Sequence, residues 1–238
     1  TPHMRTPKRY AFCDVLVIGA GSSGLSAALA AAGAGAQVCV VDENAQPGGS
    51  AQFNLGGATG ARASLEELLR AVRAEPRIEL RTATEASGYF ADHWVPLLDA
   101  QRMTKMRAGA VVVASGAFEQ PAVFGNNDVP GVMLASAAQR LMYRYGVKPG
   151  ERAVVLAANS DGYRAALDLR ACGVDVVAIV DLRAQADASD AAKTLIAQHV
   201  RVLQEHCIAA ASCARMQDGV SAVSVRRFSL TDAPSQHD

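Results

Sequence analysis

The chain has 238 residues, half of them hydrophobic, with 23 Lys+Arg against 23 Asp+Glu, five Cys and one Trp. That length predicts one large or two small domains with a real core and argues against disorder. Zero net charge without a basic block gives no reason to expect a nucleic-acid or anionic-membrane partner.

No run of about 18 apolar residues occurs, and the basic start (Arg5, Lys8, Arg9) is not followed by the apolar stretch of a signal peptide. A soluble, cytoplasmic chain is expected. The five cysteines (Cys13, Cys39, Cys172, Cys207, Cys213) are odd in number, lie in apolar segments and form no C-x-x-C, so they read as buried thiols and not as a disulfide framework or zinc cage.

In chain order, Asp14-Val15-Leu16-Val17-Ile18 is a buried strand running into Gly19-Ala20-Gly21-Ser22-Ser23-Gly24 and then an Ala-rich helix over residues 25–32. A second apolar strand, residues 37–41, ends in Asp42-Glu43 and completes a βαβ unit of the usual ~30 residues. Pro47-Gly48-Gly49 and Gly56-Gly57 mark loops. Ser64 and Glu67 have the spacing of a capping box for a helix that ends before Pro76. Short strands are expected at residues 78–81 and near Tyr89-Phe90, and a buried one at residues 110–114, stopped by Ser115-Gly116.

After the turn-rich Asn126-Asn127-Asp128-Val129-Pro130-Gly131 the order repeats: strand 152–156, turn 157–162, helix 163–171 ended by Gly173, and strand 174–180 leading to Asp181. Residues 200–203 and 220–228 read as later strands of the same unit. Two βαβ units in tandem predict an α/β, two-dinucleotide-binding, Rossmann-like three-layer fold. The boundaries are 1–121 for the first unit, 122–230 for the second and 231–238 for a polar tail.

G-x-G-x-x-G alone is a weak signal. Here it follows a strand, opens a helix and has an acid at the end of the next strand, 18 residues after Gly24. Gly19 permits the turn, Gly21 removes the side chain that would block a pyrophosphate, and Gly24 lets helix and strand approach. The N–H groups of Ser22, Ser23 and Gly24 then face the phosphates with the positive end of the helix dipole. Asp42 accepts from the ribose hydroxyls and disfavours a 2′-phosphate. Glu43 and Asn44 lie beside the ribose or in a solvated turn. Gly48-Gly49-Ser50 form a second close-approach turn, in which Ser50 donates to a phosphate or ribose oxygen, or an ordinary loop, and Ser115-Gly116 brings backbone near the nucleotide again or merely ends a strand.

The second turn, Ala157-Ala158-Asn159-Ser160-Asp161-Gly162, keeps only the third glycine. Asn159 fills the pyrophosphate's space and Asp161 adds a repelling charge, so this unit is expected to keep the fold without the usual dinucleotide. A disulfide reductase needs a cysteine pair soon after the glycine doublet, and Ser50-Ala51-Gln52-Phe53-Asn54 has none. The five histidines form no ligand pair, and neither G-x-S-x-G nor a P-loop lysine occurs, so no residue is assigned as catalytic and none as a metal ligand.

Longer strings carry a resemblance. Tyr10-Ala11-Phe12-Cys13-Asp14 runs into the first strand. Val113-Ala114-Ser115-Gly116-Ala117-Phe118-Glu119-Gln120-Pro121 leads to Phe124-Gly125-Asn126-Asn127-Asp128-Val129-Pro130-Gly131. Tyr143-Arg144-Tyr145-Gly146-Val147 and Tyr163-Arg164-Ala165-Ala166-Leu167-Asp168-Leu169 complete the set. Together they resemble the α subunit of heterotetrameric sarcosine oxidases and its relatives among the opine oxidases, hydrogen cyanide synthases and dye-linked proline dehydrogenases.

The resemblance implies the nucleotide-binding part of a longer subunit, without its preceding small domain, its C-terminal folate-binding domain or the strand that closes the first unit. It implies noncovalent NAD or FAD, with Ser23, Asp42, Glu43, Asn44 and Ser50 contacting the nucleotide and Ala86 facing the adenine. It also implies other subunits of a hetero-oligomeric amine oxidase or dehydrogenase as partners; such a complex oxidatively demethylates sarcosine to glycine. Ser115 stands for the family's Thr, Gln120 for an Arg, and residues 99–109 look shortened. The competing reading is a non-catalytic scaffold subunit with a vestigial nucleotide site.

Overall fold

The computed structural model describes residues 8–54, 61–213 and 219–228. The chain divides into two compact units, Thr1–Gln52 with Thr59–Ala117, and Phe53–Ala58 with Phe118–Asp238.

The first unit is built on a six-stranded sheet, in chain order β1 (Lys8–Ile18), β2 (Val38–Val41), β3 (Ile78–Arg81), β4 (Glu85–Ala86), β5 (Trp94–Leu98) and β6 (Met103–Val113), with the spatial order β3-β2-β1-β6-β5-β4. The pairs β1/β2, β2/β3 and β1/β6 are parallel, and β6/β5 and β5/β4 antiparallel. Helix α1 (Ser22–Gly33) buries Gly24, Leu25, Ala28 and Ala32, one face at helical spacing, against Val17, Val38 and Val40. Helix α2 (Ala61–Ala74) adds Leu65 and Val72 to the same layer. The opposite face of the sheet buries Leu16, Cys39 and Val41 under Val95, Leu97, Met106 and Ala108 of the hairpin. Each such side chain contributes on the order of 1.5–3 kcal/mol of transfer free energy.

The structure departs from the sequence expectations at four places here. β1 begins at Lys8 and not Asp14, because its first half pairs with β6 from Lys8↔Met103 to Cys13↔Ala108. Along that half Ala11 and Cys13 pack against the core while Tyr10 and Phe12 face out, Phe12 71 % exposed. α2 starts at Ala61, so Ser64 and Glu67 are exposed residues inside the helix and not its capping box. The strand expected at Tyr89-Phe90 lies instead at Glu85–Ala86; the aromatics are exposed and lead into a turn whose Asp92 and His93 hold φ of 57° and 54°. β6 extends back to Met103, and Asp99 closes the hairpin by accepting from the N–H groups of Gln101 and Arg102.

The second unit has a three-stranded parallel sheet of β7 (Arg152–Ala157), β8 (Asp175–Asp181) and β9 (Arg201–Gln204). Helices α3 (Ala135–Tyr145), α4 (Ser160–Ala171) and α5 (Asp190–Ala197) bury Ala138, Met142, Ala166, Leu169, Ala192 and Leu195 with Ile179. The 220–228 segment is not a further strand of that sheet. It forms β11 (Ala222–Arg227), pairs antiparallel with β10 (His206–Ser212), and this hairpin is tied to the Asn126 loop by Gly125↔Ala210 and by Asn126 Nδ2 donating to the Ala211 carbonyl. α4 begins at Ser160, three residues before the expected Tyr163, because Asn159 caps it.

Candidate functional site

Every residue assigned from the glycine turn lies in the first unit. Three glycines share the motif but are glycine for different reasons. A Cβ on Gly24 would stand 1.9 Å from the Gly19 carbonyl oxygen, and one on Gly19 would stand 2.3 Å from the Ala114 oxygen at a φ of +105°, so both positions are demanded by the fold. Gly21 is different. Its φ of −75° suits any residue, and the nearest atom to an added Cβ is the Gly49 Cα at 3.9 Å. Packing within the chain does not explain this glycine.

What lines that open position is backbone. Gly21 is also the N-cap of α1, which has no side-chain cap, and the first intrahelical bond runs from Leu25 N–H to the Gly21 carbonyl. The N–H groups of Ser22, Ser23 and Gly24 are therefore those a helix leaves over, at the positive end of its dipole. The Gly48-Gly49 doublet lies against them: Gly48 N–H donates to the Ala20 carbonyl at 2.7 Å, Gly21 and Gly48 form a parallel bridge, and Gly49 sits in a single 3₁₀ turn, Gly49–Gln52, with Ser50 exposed. Gln52 staples the loop by donating Nε2 to the Gln46 and Pro47 carbonyls. The glycine doublet is the sequence signal for this close approach; nothing local announces the Gln52 staple.

Asp42 directly follows β2, and only 8 % of it is exposed. Its Oδ2 accepts from Ala20 N–H inside the glycine turn at 2.7 Å, and its Oδ1 accepts from the N–H and Nδ2 of Asn44 at 2.8 and 3.0 Å. A carboxylate has about four acceptor positions, so it holds the turn and keeps capacity for a hydroxyl donor. Glu43 and Asn44 are exposed beside it. The Asn44 carbonyl takes Ala83 N–H and the Asp42 carbonyl takes Thr84 N–H, which fixes the approach to β4. Ala86 on β4 turns its methyl toward the Leu16, Cys39 and Val41 core, leaving backbone as its contribution. At the end of β6, Ala114 N–H donates to the Ile18 carbonyl, and the Ala114–Ser115 backbone lies against Gly19. Ser115 and Gly116 follow, exposed, with Gly116 at φ +76°.

Cys13 and Cys39, on β1 and β2, are free thiols. Burial pushes the Cys39 thiol up to about 12 and the Cys13 thiol up to about 11, which keeps both protonated and poorly nucleophilic. Among the described residues no helix is long and apolar enough to cross a membrane.

The second unit treats its matching turn differently. Asn159 Oδ1 accepts from Asp161 N–H at 3.0 Å, so this chain caps α4 with its own side chain.

A sheet edged by a glycine turn, an uncapped helix and an acid at the next strand end is the frame of a dinucleotide-binding protein. The chain belongs to the pyridine nucleotide-disulphide oxidoreductase family, whose pattern matches residues 13–214. Among curated proteins it is 40 % identical to the alpha subunit of sarcosine oxidase from Rhizobium meliloti (strain 1021) over 200 residues, which is 74 % of this chain and 20 % of that one. It is 30 % identical to an opine oxidase subunit of the same organism, over 72 % of this chain and 39 % of the relative. Among solved structures, L-proline dehydrogenase from P. horikoshii superposes with a TM-score of 0.64 at 24 % identity, covering 78 % of this chain and 39 % of that one. The chain thus spans about a fifth of the length of the sarcosine oxidase subunit it matches. It is an oxidoreductase module with a two-unit, dinucleotide-binding Rossmann-like fold, of a kind that takes FAD or NAD.

Proposed function

We propose that the first unit holds NAD or FAD noncovalently, as the nucleotide-binding part of an amine-oxidising oxidoreductase that resembles the alpha subunit of sarcosine oxidase. The observation that carries this is Gly21, a glycine the fold does not need, at the mouth of an uncapped helix. In this reading the N–H groups of Ser22, Ser23 and Gly24 receive the pyrophosphate and Asp42 receives the ribose hydroxyls. Glu43, Asn44, Gly49 and Ser50 flank the nucleotide, and the backbone at Ala86, Ser115 and Gly116 closes around it. Asp42 disfavours a ribose carrying a 2′-phosphate by charge. When bound, the cofactor supplies or passes on electrons; this chain's residues bind and orient it.

The same reading gives the module partner subunits, supported by relatives that are themselves named as subunits and by the share of their length it spans. It also places the chain in the cytoplasm, which the unpaired thiols of Cys13, Cys39, Cys172 and Cys207 support. The test is to denature the purified protein and identify the released molecule by mass and visible absorbance. One nucleotide per chain is expected, coloured if a flavin. None would overturn the reading in favour of a scaffold.

A further inference from the structure

Asp181 ends β8 much as Asp42 follows β2, but where Asp42 accepts three hydrogen bonds Asp181 accepts four from its own chain. Asp181 is 0 % exposed. Its Oδ2 accepts from the Tyr163 hydroxyl at 2.6 Å and Arg183 Nη2 at 2.8 Å, and its Oδ1 accepts from Arg183 Nε at 3.0 Å and Arg183 N–H at 2.9 Å. The guanidinium reaches on to Asp187, whose Oδ2 takes Arg183 Nη2 at 2.8 Å and the Ser160 hydroxyl at 2.7 Å. Asp187 Oδ1 accepts from Ser189 N–H at 2.9 Å. Asp187 thus links the first residue of α4 to Ser189, the N-cap of α5.

Burial opposes the charge on both carboxylates. The donors around them win, and each is held below the usual carboxylate range. The groups a second dinucleotide needs are therefore already occupied: the strand-end acid by Tyr163 and Arg183, and a first-turn amide by Asn159. A fixed Asp187 charge stands beside the start of α4, where a phosphate would have to come.

We propose that Arg183, with Asn159 and Asp187, closes the second unit to dinucleotides, so that the chain takes one nucleotide and not two. All these residues lie within the second unit, so the proposal does not rest on the reading of the first.

The test uses the full chain with Gly21→Val, which obstructs the first cradle so that any bound nucleotide reports on the second unit. In equilibrium dialysis with NADH and with FAD up to about 1 mM this variant should retain neither. Saturable binding near one per chain that displaces the Arg183 Nε–H resonance would overturn the proposal; binding that leaves it unshifted supports closure and counts against the Gly21 reading of the first unit. Adding Asn159→Gly and Asp187→Ser, with the fold checked by circular dichroism, should raise NADH retention at least about tenfold; a folded variant with no gain overturns it. Should that variant fail to fold, the Arg183 Nε–H resonance of the wild type decides. It should persist unshifted in about 1 mM NADH or FAD, and displacement by either nucleotide would refute closure.

Discussion

Replacing Gly21 and Gly24 separately by alanine splits two demands that one motif carries. At Gly24 the new methyl would lie 1.9 Å from a backbone carbonyl that cannot retreat without moving the turn. The cost sits at the top of the ~1–3 kcal/mol range for overpacking or beyond it, and Tm should fall by about 6 °C or more. At Gly21 the methyl enters open space at an ordinary φ. A less flexible unfolded chain favours the alanine by about 0.4–1 kcal/mol, and its poorer performance as an N-cap offsets a similar amount. Apo stability should therefore stay within about 1 kcal/mol of wild type. The nucleotide fares otherwise. Pushing a pyrophosphate out by a methyl radius breaks about two charge-assisted N–H bonds at roughly 1.5–3 kcal/mol each, so affinity should drop by about a hundredfold or more. Thermal unfolding of the nucleotide-free protein and dialysis with NAD and FAD check both halves. The reasoning is refuted if Gly21→Ala binds as wild type does, or if it destabilises as much as Gly24→Ala.

Asp42→Ala removes the acceptor for a buried Ala20 N–H as well as the proposed ribose contact, so it should lower stability by about 1–3 kcal/mol and weaken nucleotide retention together; unchanged retention would mean that the ribose is held elsewhere. Arg183→Ala leaves Asp181 buried without its cation, and because the guanidinium is itself a third exposed the loss should fall toward the low end, about 2–3 kcal/mol by denaturant titration. The same pair sets an acid limb. Asp181 and Asp187 are held below their unfolded value of about 3.9, so the stability they contribute is present above that pH and is lost as pH falls below it. Acid titration followed by circular dichroism should show that limb in wild type and a shallower one in Arg183→Ala. At the alkaline end the raised Cys13 and Cys39 thiols act in the other direction: their contribution is complete below about pH 9 and is lost as pH rises toward 12. Native Cys39 should accordingly react with iodoacetamide at pH 8 about a thousandfold more slowly than a free thiol.

The first βαβ unit was legible because its signals are local: an apolar run, three glycines, an Ala-rich helix and an acid at a fixed distance. What escaped depends on distant partners. The β5–β6 hairpin carries Pro96, Lys105 and Arg107 on its outward face, which interrupts the apolar pattern that marks a strand. Helix α3 has Leu134 at its N-cap position, a side chain that cannot cap it; the Ala135 and Ser136 N–H groups are satisfied by the Glu119 carboxylate, sixteen and seventeen residues upstream. Ser64 misled for the converse reason, a capping pattern lying inside a helix whose face is set by Leu65 and Val72. Within the second turn the sequence presents Asn159 as an obstruction; its role as a cap, and the Arg183 clasp behind it, become visible only once Ser160, Tyr163 and residues 181–189 are brought side by side.

The contact between Gly19 and Ala114 sets the order in which the cradle can be completed. The turn precedes the strand that backs it, β6, by some ninety residues. A growing chain that has produced only the first βαβ unit has the glycines but not the wall behind them, and pairing at such sequence separation is slow to form. On the proposed function, nucleotide capture is therefore a late event in folding, and a cofactor that binds only the finished cradle acts as a seal on the strand joining the two halves of the sheet.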